Sequence, residues 1–335
     1  MLKRFHLIVK ISIVCIYLII IAGSVVRMTG SGMGCPDWPK CFGYYIPPTQ
    51  ESEIQFQANH KYKTGHVIKV EDYFYYAKED FTSSEALNMN NWEKNTKHEY
   101  NTFDVTHTWI EYINRLFTAL AGIPILIMFI FSFFFIRKKI ALWIASTVTI
   151  FGMGFEAWLG KTVVDSNLLP YKITFHMFGS FVIIASLIYL LYKSKEHLTL
   201  TIPKKVKLGL ILALLLTLIQ VAIGTQVRQF VDEKVIAFGY NKATWLQDPT
   251  FNFYFHRTFS IAVLALNLWL FLLNKKLSLG LNQMRFVMYL LGLEIITGIA
   301  MSYFEFPFAS QPLHLLLATL LFGVQLYLIM KAFKK

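Results

Sequence analysis

Charge is what this chain has least of. Of its 335 residues, 16% are Asp, Glu, Lys or Arg, while 55% are hydrophobic and 16% aromatic. That balance excludes an ordinary soluble domain, which carries roughly a quarter charged residues. Cysteine is scarce too: there are three, and no second Cys/His pair at zinc spacing accompanies them, which argues against a metal site built on the cysteines. The net charge of +12 comes with no nucleic-acid motif and no clustered basic face, so nucleic acid is set aside as a partner. A transporter built from repeats would need broken helices and a midplane polar site, and the polar residues cluster near one face instead.

What the chain does have is long apolar runs. Eight of them, at about 7–26, 108–136, 140–160, 171–192, 206–227, 252–273, 285–303 and 311–330, approach or exceed the roughly 20 residues that cross a bilayer core. The first starts with Lys3 and Arg4 but runs longer than a signal-peptide core and leads into further spans, so it reads as a retained helix. Segments 137–139, 193–207 and 275–285 hold eleven Lys/Arg, against five in 161–172 and 228–242. Positive residues stay cytoplasmic, which puts both termini inside. The expected fold is an all-α membrane protein of eight transmembrane helices.

After the first span comes Met28-Thr29-Gly30-Ser31-Gly32-Met33-Gly34-Cys35-Pro36-Asp37-Trp38-Pro39-Lys40-Cys41, whose glycines and prolines stop the helix and predict a structured loop. On the oxidising side of a membrane, Cys35 and Cys41 read as a disulfide, with two unpaired thiols as the alternative. Cys15 reads as core filling. Residues 42–105 form the longest external segment, polar and aromatic, and its histidines His60, His66 and His98 read as surface residues.

The two halves of the chain repeat each other. Gly-[Ser/Thr]-x-Val-Arg ends spans 1 and 5 at Arg27 and Arg228, and Asn114-Arg115 matches His256-Arg257. Glu156 to His176 covers twenty residues, as does Glu294 to His314, and Gly160 and Gly298 follow the glutamates at one offset. With four spans in each half, the repeat is parallel, about an axis along the membrane normal. The domain reading follows: span 1 at 1–27, an external loop at 28–107, spans 2–4 at 108–192 completing the first half, and a second half at 193–335.

Ionisable residues inside spans are costly and point to function. Asn114, His176, His256 and His314 fall at similar depth near the outer surface. His256 and His314 face each other across the second half, and two opposed imidazoles are a standard ligand set for haem iron. Hydrogen-bonded core histidines are the alternative. Arg257 and Arg228 suit haem propionates there, as Arg115 and Arg27 do in the first half; snorkelling to the interface is the other reading for Arg27 and Arg228. In the first half His176 keeps its place but Asn114 replaces its partner. Glu111 lies one turn before Asn114 on the same face, where the second half has Phe253. A carboxylate beside one pocket only puts proton-moving chemistry in the first half and electron storage in the second. The alternative is a helix-start carboxylate held by the dipole. Glu156 and Glu294 read equally as structural buried acids or as proton-path residues.

These residues resemble those of the haem A synthases, membrane enzymes that supply haem A to cytochrome oxidase. The resemblance covers nearly the whole chain: eight spans in two halves, Val26-Arg27-Met28-Thr29-Gly30-Ser31-Gly32, Cys35-Pro36-Asp37-Trp38-Pro39-Lys40-Cys41, Glu111 to Arg115, and His176, His256 and His314. It implies oxidation of the C8 methyl of the substrate haem O to a formyl group, through successive hydroxylations. It implies a haem b held by His256 and His314, a first-half pocket for haem O or haem A with His176 as iron ligand, and a catalytic part for Glu111. A Cys35–Cys41 disulfide and haem sites near the periplasmic face of the inner membrane are further implications. Membrane lipid surrounds such a protein; a haem O synthase, oxidase assembly factors and an external electron acceptor are the partners the family suggests. The competing class is a bis-histidine electron-transfer cytochrome without substrate chemistry, against which Glu111 and the cysteine loop argue.

One position departs from the family pattern Glu-x-x-His-Arg: this chain reads Glu111-Tyr112-Ile113-Asn114-Arg115. Imidazole is a good iron ligand and a carboxamide a poor one. Either His176 holds the substrate haem alone or another residue supplies the second ligand. His107, on the same helical face, is the candidate, with a headgroup-region histidine as its alternative.

Overall fold

A computed structural model describes residues 1–96, 102–166, 170–239 and 241–334, with Pro170 and Tyr171 described in backbone only. His98 lies outside the described residues. Among the described residues, eight helices are long and apolar enough to cross a membrane: α1 Leu2–Thr29, α2 Val105–Ser132, α3 Ile140–Asp165, α4 Pro170–Lys193, α5 Lys204–Phe238, α6 Phe251–Lys276, α7 Met284–Tyr303 and α8 Ser310–Ala332. The eight apolar runs are thus eight helices. The largest difference is α5, at 35 residues against an expected span of 206–227. Its extra turns hold themselves together by pairs one turn apart: Arg228 to Asp232 at 2.8 Å and Gln229 to Glu233 at 3.0 Å. Gly239 stops it with φ 68°.

The chain divides into two compact units. One holds Met1–Ile21, Ala121–Gly154 and Met177–Lys335. In lipid, apolar contact gives helices little reason to associate, so close packing and polar bridges hold them together. Phe5 and Val9 of α1, Ile125 and Met128 of α2, and Ile184 and Leu187 of α4 fill one core; Val206 and Leu210 of α5, Val287 of α7 and Leu328 of α8 fill a second. Thr149 and Ser186 join α3 to α4 at 3.0 Å, and Gln325 Nε2 donates to Asn267 Oδ1 at 3.2 Å between α8 and α6. At Gly209 a Cβ would meet Leu270 Cδ2 at 2.8 Å, so α6 packs a side chain directly against the α5 backbone there. Phe151 and Tyr289, among the most exposed aromatics, sit on helix faces suited to lipid.

The other unit holds Ala22–Leu120 and Phe155–His176. Its segment between α1 and α2 is a small β-structure. Strands β2 Val67–Val70, β3 Tyr73–Ala77 and β5 Trp92–Lys94 form an antiparallel sheet in the order β2-β3-β5, while β1 Lys61–Tyr62 pairs with β4 Phe81–Thr82. The two-residue turn between Val70 and Tyr73 places Glu71 at φ 53°. Side chains alternate with period two: Val67 and Phe74 join Cys35, Cys41, Phe42 and Ile54 on one face, while Ile68 and Ala77 join Tyr62 and Trp92 on the other. Here one expectation fails. His66 is buried rather than on the surface, its ring 4.4 Å from that of Tyr44 and edge-on to Tyr62. Aromatic neighbours brought in by the sheet cover it, and burial, with Lys40 nearby, pushes its pKa below the usual histidine value.

Candidate functional site

In the second half, the rings of His256 and His314 lie 6.4 Å apart between centroids, with their planes at 70°. Two imidazoles on opposite sides of one metal, at bonds of about 2 Å each, put their ring centres roughly 6 Å apart. The spacing fits a shared iron. His314 Nδ1 is 2.7 Å from Glu294 Oε2 and 2.8 Å from Thr297 Oγ1. These partners take up Nδ1 and leave Nε2 available, an arrangement like the carboxylate–histidine brace found at metal sites. The backbone carbonyl of His256 accepts from Gln220 Nε2 at 3.0 Å. Its Nδ1 is buried without a hydrogen-bond partner among the described residues. Arg257 is exposed, with its guanidinium 5.4 Å from the Tyr254 ring centre, whereas Arg228 pairs with Asp232.

The first half repeats half of this brace. His176 Nδ1 lies 2.7 Å from Glu156 Oε2, a close approach between residues at the same spacing, though without hydrogen-bond geometry. Glu156 and Glu294, left open from sequence, are therefore histidine partners. The repeat extends to the glycines. A Cβ at Gly224 would meet His256 Cε1 at 3.0 Å, one at Gly298 would meet His314 Cε1 at 3.9 Å, and one at Gly160 would meet His176 Cε1 at 3.7 Å. One at Gly23 would meet Asn114 Oδ1 at 3.7 Å. Each residue in the ligand register thus rests against a glycine of another helix.

Glu111 is 4% exposed and held on both oxygens: Oε2 accepts from the Cys35 backbone N–H at 2.9 Å, and Oε1 pairs with Arg115 Nη2 at 2.5 Å. Arg115 Nη1 donates to the carbonyls of Asp37 at 2.6 Å and Lys40 at 2.9 Å. This guanidinium, expected at a propionate, is committed to the loop that the Cys35–Cys41 disulfide closes. Asp37 holds the same loop, accepting from the N–H groups of Phe42 and Gly43 at 2.5 and 2.9 Å. Burial raises the Asp37 pKa, against the pull of those N–H groups and of Arg115. Thr108 Oγ1 donates to the Gly34 carbonyl at 2.8 Å, and a Cβ on Gly34 would strike the His107 carbonyl at 2.4 Å, so loop and α2 are in van der Waals contact. Glu111 sits two turns into α2 and owes its place to these partners rather than to the helix end. Among the described residues, the interactions of His107 run through its main chain, its N–H donating to Asp104 Oδ1 at 2.8 Å. Arg27 lies in the last turn of α1.

Of the residues singled out from sequence, the two cysteines form the expected disulfide, and the histidines, Asn114 and Glu111 take the positions described above. Sequence reasoning missed the pairing of Glu156 and Glu294 with the histidines, although the equal spacing of glutamate and histidine in both halves carried that signal.

Comparison with known proteins finds a family. Residues 6–326 match the family described as cytochrome oxidase assembly protein. The chain is 26% identical over 188 residues to a protein of Shewanella oneidensis named heme A synthase, a match spanning 55% of this chain and 43% of that relative. Proteins of the same name from Wolbachia pipientis subsp. Culex pipiens and Rickettsia prowazekii are 23% and 25% identical, over 91% and 94% of this chain and 90% and 93% of theirs.

Proposed function

Since the chain belongs to the cytochrome oxidase assembly protein family, we propose that it is a haem A synthase, an oxidoreductase that converts the C8 methyl group of haem O into the formyl group of haem A. The conversion is a four-electron oxidation of one carbon, two successive hydroxylations followed by loss of water, with the electrons passed to an external acceptor. The observation that carries this reading is the His256–His314 pair, spaced for one iron and braced by Glu294.

His256 and His314 would hold a haem b in the second half, with Glu294 and Thr297 fixing the His314 ring. When bound, that haem would supply one-electron transfer. Arg257, exposed at the same helix end, neutralises a propionate. In the first half His176, braced by Glu156, holds the iron of the substrate haem. Glu111 is the carboxylate of the reaction: it keeps a fixed acid–base group on α2, one turn from Asn114, where protons are released from the oxidised carbon. Arg115 and the disulfide loop are positioning elements that hold Glu111. Both sites lie toward the outer face of the inner membrane, with the termini in the cytoplasm, as the distribution of Lys and Arg supports.

The test is complementation. In a host that makes haem O but lacks its own haem A synthase, this chain should restore haem A to extracted pigments. Glu111→Ala should leave haem O unconverted while the haem b absorption stays. Haem b without any haem A from the unaltered chain would instead favour an electron-transfer cytochrome.

A further inference from the structure

We propose that Asn114 leaves the iron of the first-half haem without a protein ligand on the α2 side. That haem then takes a small neutral ligand, water or a diatomic gas, which the haem between His256 and His314 cannot. The inference rests on the synthase reading and extends it to coordination at the substrate site.

Four observations carry it. First, Asn114 occupies the ligand register. It precedes Arg115 as His256 precedes Arg257, and its Oδ1 rests against Gly23 as the His256 ring rests against Gly224. Second, the atom in that register is a carboxamide oxygen on a shorter side chain, a poor partner for iron compared with neutral imidazole. Third, Asn114 Oδ1 is buried with no hydrogen-bond partner among the described residues. A buried acceptor of this kind calls for a small donor beside it. Fourth, the neighbouring side chains on that face of α2 are unsuited to substitute. Both oxygens of Glu111 are engaged, by the Cys35 N–H and by Arg115. The Arg115 guanidinium is held by loop carbonyls. His107 stands seven residues earlier, about 10 Å back along the helix axis, and so at a different depth. His176, with Glu156 on its Nδ1, is left as the axial ligand on the α4 side.

The geometry therefore assigns two unlike coordination states to one chain. The second-half haem is closed by two imidazoles. The first-half haem takes one ligand from the protein, His176, and Asn114 Oδ1 is in place to accept a hydrogen bond from a water on the other side.

Carbon monoxide is the probe. The protein is purified in detergent, incubated with haem O, reduced with dithionite and exposed to CO, and the haems are counted by chromatography of the extract. Two haems per chain, one of them shifting its absorption with CO, is the expected result. Asn114→His should abolish the CO response and give a second low-spin bis-histidine spectrum, while Asn114→Ala should retain the response. Should Asn114→His fail to accumulate, the high-spin ferric signal of the unaltered protein and the Asn114→Ala response decide the matter alone. Two haems per chain with no CO response overturn this inference and leave the synthase reading standing. A protein that carries only bis-histidine haem b after incubation with haem O overturns both.

Discussion

Replacing Glu294 by Gln tests how the second-half histidines are held. Glu294 Oε2 lies 2.7 Å from His314 Nδ1, with Thr297 Oγ1 at 2.8 Å on the same nitrogen. A carboxylate there fixes the ring and raises the basicity of the ligating nitrogen, and loss of such a partner typically costs about 10- to 100-fold in metal affinity. That is about 1.4 to 2.8 kcal/mol. The anionic partner also favours ferric over ferrous iron. A tenfold loss of that preference raises a one-electron potential by about 60 mV. Glu294→Gln keeps the shape and removes the charge, so haem b should bind more weakly and titrate at a higher potential. Thr297→Ala removes one hydrogen bond and no charge, and should move both quantities less. The assay is a redox titration of the haem b band with haem content measured on the same preparation. Unchanged content and potential in Glu294→Gln would refute the brace.

Other expectations follow from the same contacts. Gly224→Ala would bring a Cβ to 3.0 Å from the His256 ring and should lose haem b, whereas Gly298→Ala, with 3.9 Å available beside His314, should keep it; absorbance of the purified variants compares the two. Replacing Cys35 and Cys41 by Ser removes a loop closure worth about 2 kcal/mol in the chain-entropy account. Because Glu111 takes the Cys35 N–H, hydrogen exchange should rise across the loop and haem A formation should fall together. Burial lowers the His66 pKa, so the unfolded chain binds that proton more readily and stability rises with pH. The contribution is complete above the ordinary value of 6.5 and is lost as pH falls below it; amide protection of β2 and β3 at pH 5 against pH 8 measures it, and His66→Gln should flatten the difference.

Much of this architecture could be read from the chain because a membrane imposes simple rules. Span lengths follow from the bilayer, and each polar residue inside a span stands out against an apolar background. The repeat was visible for the same reason, since Asn114, His176, His256 and His314 have few polar neighbours to hide among. The pairing of Glu156 with His176 was harder to see, because the two residues sit on separate helices and twenty positions apart. The external segment resisted for another reason. Its strands are two to five residues long, too short for alternation to rise above the turns between them, so the burial of His66 was not legible. The full length of α5 was hidden because its last turns are polar and rest on side-chain pairs rather than on an apolar run. Arg115 differs from Arg257 in its setting, because carbonyls of the disulfide loop accept from its guanidinium.

The most direct test of the central claim is the pigment content of the purified protein, from reduced-minus-oxidised spectra combined with chromatography of the extracted haems. The account predicts haem B together with haem O or haem A, two unlike tetrapyrroles in one chain. A protein isolated without haem, and unable to take it up when supplied, would contradict it.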